Sequence, residues 1–454
     1  MEYIGQWWIE KDEELTGILK FDNENFKLEL LGSFGEDWDF NPKNCEYIYG
    51  FTKCGNKITL IDCMCVGMES SMPGIPSTSY SPRDIIIGDK YYKSSDDINL
   101  KHLELRLDYL DEWIGESSAT IKMNREEKKI DMKSQTLESI KYHTDIFDLN
   151  YVFCNHSSMN STFTKYTWSQ TSSIEINFKN DTNYTEAVKQ IYNLEDFLSF
   201  CIGKPVEVRD IKATDNEGNN LKIIEANTLK PTKYMNKSEI SNVLLHFQDI
   251  KDNFSSIYSL WIQKKERLQP IIRKMLSSEK ESKYYDIQLH YMNIITALET
   301  FSRRFMNNCQ IDSEDYENKK TYIINSIKDE DRKWLLDRLK YANEPTLNMR
   351  IKEIFKLFND IIQISGKKRK SIINKTINTR NYYTHFGEDK RKEEMFTIQQ
   401  SFYVYEFYKL ILKLLILKEL GIDPMLIMNN PNKKYVRELQ AINELKKEFK
   451  IKSN

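Results

Sequence analysis

The sequence predicts an α+β protein: a β-rich, sandwich-like N-terminal domain with one inserted helix, followed by an all-α helical bundle. Three observations carry this. Apolar and polar residues alternate through the first third of the chain. The period switches once to that of a helix near residue 185 and then returns. From about Ser238 onward, apolar residues recur three and four apart almost to the end.

In order along the chain, Glu14–Phe21 and Phe26–Leu31 alternate across the turn-rich Asp22–Asn25. Tyr47–Phe51 and Lys57–Val66 follow around Gly55-Asn56, then Ile85–Ile87 and Leu103–Leu110. Met68–Pro82, with Pro73, Pro76 and Pro82, reads as a loop. Thr120–Met123, Lys128–Met132 and Ser172–Phe178 continue the β signal. Thr185–Ile202 is the inserted helix, stopped by Gly203-Lys-Pro205. Val206–Ile211 and Leu221–Ile224 close the β region. Helical stripes then run over Ile240–Gln263, after Pro270, and over Ile287–Phe305. Others cover Trp334–Leu339, Ile351–Ile362, Ile372–His385, 399–420 and Val436–Phe449. The implied boundaries are 1–235 for the β-rich domain, 236–280 for a helical connector, 281–425 for the helical domain and 426–454 for a polar C-terminal helix.

At 454 residues the chain is too long for one core. Lys+Arg 66 nearly cancels Asp+Glu 68, and a net charge of −2 excludes a uniformly basic nucleic-acid coat while leaving room for a local patch. Met1–Leu15 is acidic and lacks an apolar run, so no secretory leader is expected. The most apolar segment, Phe402–Leu420, is interrupted by five charges and reads as a buried helix, not a membrane span. Seven cysteines are an odd, sparse set that points to a reducing cytoplasm. Cys63 and Cys65 read as same-face strand positions; with Cys45 and Cys54 they fit zinc-knuckle spacing poorly, so neither metal nor cofactor is expected.

The segment that carries chemistry is Thr379-Arg-Asn-Tyr-Tyr-Thr-His-Phe-Gly387. An Arg-x4-His spacing alone arises by chance about 0.2 times in such a chain; the asparagine after Arg380 makes it rarer. Asn381 and His385 are four apart and share a helix face, with Arg380 about 140° from His385. Cleavage of a phosphodiester by a neighbouring hydroxyl needs a base, an acid and positive charge at the phosphate. Histidine is the side chain that serves either proton role near neutrality. Arg380 offers a permanently charged fork for phosphate oxygens. Asn381 is suited to orient the ring or hold a phosphate oxygen.

This is the R-N-x3-H pattern of the HEPN ribonucleases, and the wider chain resembles the ApeA family of anti-phage proteins. Gly5-Gln-Trp-Trp8, Leu15–Leu19, Leu28–Gly32, Leu194–Ser199 and Gly203–Val206 resemble its N-terminal domain. Ala297–Glu299, Arg380-Asn381…His385 and Leu417–Gly421 match its HEPN part in order. The resemblance implies a metal-independent endoribonuclease active in abortive infection, cutting RNA, with tRNA a candidate target. It implies Arg380, Asn381 and His385 as the catalytic set. It also implies a homodimer that brings two copies of the motif into one cleft, and an N-terminal domain that senses a phage-derived trigger. Some HEPN toxins carry a tyrosine two residues after the histidine, which a partner enzyme modifies; here that position is Gly387, which argues against that control.

Around the motif, Lys367-Lys368-Arg369-Lys370 reads equally well as an RNA-guiding run or a solvated turn. Tyr382 and Tyr383 suit base stacking, though aromatics on such a helix more often face the core. Glu299 reads better as a solvated or bridging carboxylate than as a substrate contact. Two other functions remain open: a non-catalytic RNA- or protein-binding module on the same scaffold, and a sugar-binding protein built on the β-rich domain.

Overall fold

The computed structural model describes residues 2–10, 13–21, 25–34, 43–69, 73–162, 164–279, 286–359, 363–385, 394–428, 441–445 and 447. The chain divides into two compact units, Met1–Ser259 and Leu260–Asn454. The first is β-rich and the second helical. Among the described residues no helix is long and apolar enough to cross a membrane.

The first unit starts with β1 (Glu2–Trp8), β2 (Leu15–Phe21), β3 (Phe26–Leu31), β4 (Cys45–Thr52), β5 (Lys57–Glu69) and β6 (Ser77–Ser81). These pair in the order β5-β4-β1-β2-β3-β6, and β6 pairs back onto β5. The expected sandwich-like form is therefore a closed barrel. Alternation reveals which face of a strand is buried, but not which edges join. The stretch expected as a loop contributes β6, the strand that makes the closure. β5 is long enough to serve both the barrel and an open extension through β7 (Asp84–Gly88). The extension continues through β8 (Asn99–Leu107), β11 (Ile140–His143), β12 (Phe147–Met159), β13 (Tyr166–Asn183), β14 (Val208–Asp215) and β15 (Asn220–Ile224). β9 (Ala119–Asn124) and β10 (Lys129–Ser134) form a separate hairpin.

Trp7 fills the barrel and is fully buried, while Trp8 lies partly exposed against Tyr49 and Tyr91. Directly across from Trp7 on β4 is Gly50, where a Cβ would stand 2.3 Å from the indole ring. A glycine there is what lets the indole lie against the neighbouring strand. Cys63 points into the same core opposite Cys45, and Cys65 lies on the same face. Burial pushes the Cys63 thiol well up, which disfavours the thiolate a metal needs. Among the described residues, no group of three or more His, Cys, Asp or Glu is placed to hold a metal ion.

α1 (Leu110–Ile114) follows β8, and α2 (Tyr184–Ile202) is the inserted helix. Asn183 caps α2 by accepting from the Glu186 amide at 2.9 Å, and Gly203 ends it at φ 84°. Its apolar face packs on β8 and β13. Near it, burial raises Glu195 to about 8 and Glu225 to about 7, with Asp84 adding repulsion at Glu225. Both carboxyls are protonated in the folded unit at a pH where they ionise when unfolded. Their contribution to stability is complete below the unfolded values and disappears as pH rises through the folded ones. We expect the melting temperature of this unit to fall between about pH 5 and about pH 9, and Glu225→Gln to flatten that slope. A slope unchanged in that variant would remove Glu225 from the account.

The second unit holds α3 (Phe254–Met275) from Leu260 on, then α4 (Ile287–Phe305), α5 (Ser313–Asn325), α6 (Asp329–Leu339) and α7 (Leu347–Leu357). α8 (Gly366–His385) and α9 (Ile398–Glu419) complete its main elements. Pro270, expected to start a new helix, sits inside α3. A proline there cannot donate to the carbonyl of residue 266. The Arg304 guanidinium donates to that Glu266 carbonyl at 3.0 Å and to Arg267 O at 2.9 Å, so the helix continues. α9 opens with a Thr397–Gln400 capping box and is buried along most of its length, Glu406, Lys409 and Lys413 included. Of the expected C-terminal helix, residues 441–445 are helical and the rest lies largely outside the described residues.

Candidate active site

α8 is held by its inner face. Ile372, Ile373, Thr376 and Thr379 are buried, and α4, α7 and α9 surround them. The buried Tyr291 hydroxyl donates to Thr376 O at 3.1 Å, and the Thr376 hydroxyl meets Tyr408 at 2.9 Å. Thr379 Oγ1 accepts from the Phe396 amide at 2.9 Å, pinning the segment that leads into α9. These bonds fix the rotation of α8 and so decide what its outer face presents.

Arg380, Asn381 and His385 lie in its last turns. Asn381 and His385 are exposed, and His385 is the last described residue of α8. Arg380 is half-buried and bends toward the same end, donating from Nη1 to Asn381 Oδ1 at 3.2 Å. Its Nη2 stands 4.0 Å from Glu299 Oε2 on α4. Glu299 also accepts from Arg303 Nε at 3.3 Å and Nη2 at 3.2 Å. Arg303 in turn pairs with Glu344, which lies 3.6 Å from Arg350 Nη2. Arg350 is 2% exposed, and its Nη1 donates to Ser302 at 3.4 Å. Burial and the Arg303 charge hold Arg350 below the usual guanidinium range. Glu299 is thus a bridging carboxylate, the first link of an Arg–Glu chain running inward from Arg380. Exposed pairs of this kind contribute little stability; their use is to restrict where the guanidinium can go. Sequence reasoning passed over Arg303, Glu344 and Arg350. Only the i,i+4 spacing of Glu299 and Arg303 could have signalled them.

The other expected contacts separate. Tyr383 is half-buried, edge-on to Tyr291 with centroids 6.0 Å apart, and so faces the core side. Arg369 is spent on Asn359 Oδ1 and on Ile364 O at 3.2 Å. Lys368 is half-buried. Lys367 and Lys370, in contrast, are exposed and line a cleft of about 670 Å³ with Ser371, Asn374, Lys375, Ile377, Asn378, Asn348 and Glu394. Gly387 lies outside the described residues.

A β-rich barrel unit followed by a helical unit that carries Arg-Asn-x3-His at a helix end defines a HEPN-type protein with a large N-terminal domain. The profile described as ApeA N-terminal domain 1 matches residues 2–261, and Apea-like HEPN matches 292–425. The chain belongs to the ApeA family, with its HEPN domain in the helical unit. No curated protein and no solved structure matches it.

Proposed function

We propose that this chain is a metal-independent endoribonuclease of anti-phage defence, its helical unit cutting RNA and its β-rich unit restraining the cut until infection is sensed. The observation that supports this best is the placement of Arg380, Asn381 and His385 together at the exposed end of α8, with Arg380 steadied by Asn381 and Glu299.

In this reading the RNA 2′-oxygen attacks the adjacent phosphorus as a base takes its proton. The P–O5′ bond breaks as an acid protonates O5′, leaving a 2′,3′-cyclic phosphate and a 5′-hydroxyl. Arg380 holds the phosphate oxygens as charge builds, and Asn381 positions either the guanidinium or a phosphate oxygen. One imidazole cannot serve as base and acid in the same step, so two copies of the chain supply His385 in opposite roles. tRNA is the first substrate to examine.

The test compares phage plating on cells expressing wild type, Arg380→Ala and His385→Ala at equal protein levels, with RNA from the infected cells run alongside. Protection and RNA fragments should vanish together in both variants. Protection that persists in both would remove the nuclease reading.

A further inference from the structure

The outer face of α8 is polar far beyond the motif. On an ideal helix Lys367, Lys370, Asn374, Asn378, Asn381 and His385 fall within an arc of about 80°, a stripe roughly 27 Å long. Its first two-thirds is the floor of the cleft, and its last third is the candidate active site. The lining also changes along the length of the cleft. Lys367 and Lys370 are exposed near the start of α8. Further along, beside Lys375, Asn374 Oδ1 accepts from Asn348 at 3.4 Å and the Asn378 amide donates to Glu394 Oε2 at 3.1 Å.

We propose that this cleft binds single-stranded RNA on one side of the scissile bond and leads it along α8 to His385. The inference rests on the nuclease reading only for where the strand leads. Lys367 and Lys370 attract phosphates at the far end of the cleft. Nearer His385 the strand passes Asn374, Asn378 and Glu394, which face its base edges. Amides there offer both donor and acceptor, and a carboxylate accepts from an exocyclic amino group. Base edges are within reach of such groups only when the strand is unpaired and splayed. A paired helix, read mainly by shape and backbone, makes no use of the amides.

The experiment uses the full chain carrying His385→Ala, so that RNA is not consumed, and measures the anisotropy of a short labelled single strand across a salt series. Adding Lys367→Ala and Lys370→Ala should weaken binding at least about tenfold and lower the salt slope by about 1.4, two phosphate contacts at ~0.7 each. Asn374→Ala with Asn378→Ala should weaken binding without changing the slope. The proposal is overturned if no RNA binds, if the lysine pair changes neither affinity nor slope, or if a duplex binds as tightly with the same dependence. If His385→Ala leaves RNA cleavage intact while the lysine pair still controls binding, the nuclease reading fails and the cleft stands.

Discussion

His385→Ala is expected to lower the rate of RNA cleavage by about 10²–10⁴-fold, the usual range for losing a general acid–base group. It should do so without unfolding the protein. His385 is exposed at the last described residue of α8, and the bonds that hold this helix come from Thr376 and Thr379 on its other face. Exposed substitutions of this kind move stability by roughly 0.5 kcal/mol or less. The wild-type rate should pass through a maximum with pH, because one imidazole must be free of its proton while the other carries it. A rate rising steadily from about pH 5 to about pH 9 would argue against two histidines in opposite roles. Activity should survive EDTA, and a strict metal requirement would redirect attention to carboxylates.

The largest effect on stability is expected at Asp108→Ala in the first unit. Asp108 is fully buried, and Arg209 is 5% exposed. The carboxylate meets Arg209 in a two-pronged pair, Nε to Oδ1 at 2.8 Å and Nη2 to Oδ2. Oδ1 also accepts from the Lys233 amide at 2.8 Å. The pair thus ties together the end of β8, the start of β14 and the chain that follows β15. Removing the carboxylate takes the two-pronged partner from a guanidinium inside the fold, whose other contacts include Glu207 at 2.9 Å. The expected cost is about 3–5 kcal/mol, read as a lowered transition for this unit in calorimetry of the full chain. Asp108→Ala combined with Arg209→Met should recover much of it, since the buried charge is then gone. A double variant no more stable than the single one would show that the pair is valued for its geometry.

Much of this architecture was legible because burial leaves a period in the sequence. β2 and β3 alternate, and α4 steps by three and four, since each has one face in a core. What failed to register was whatever depends on distant partners. The pairing of β5 with β6 and the Arg303–Glu344 contact have no local signature. Pro270 was misread because its remedy, Arg304, lies on another helix. At the candidate site, Arg380, Asn381 and His385 were found by spacing. Lys368 and Arg369 were grouped with Lys370 as one run, whereas a helix turns adjacent residues in different directions. Lys367 and Lys370 reach the cleft, and Arg369 turns back to Asn359 and Ile364.

Arg304 leaves α3 with a dependence on its neighbour that an ordinary helix lacks. Any other residue at 270 would let the ladder of backbone bonds close from within. Here the one carbonyl Pro270 cannot serve, Glu266 O, is completed from α4, whose Arg304 also donates to Arg267 O, and Arg267 of α3 lies over the Phe305 ring of α4 at 4.2 Å. From Leu260 on, α3 also holds Lys264 against Glu419 at 2.7 Å. Fraying of the end of α4 therefore opens the centre of α3. The two helices should protect their amides from solvent exchange as one cooperative block, not as separate pieces.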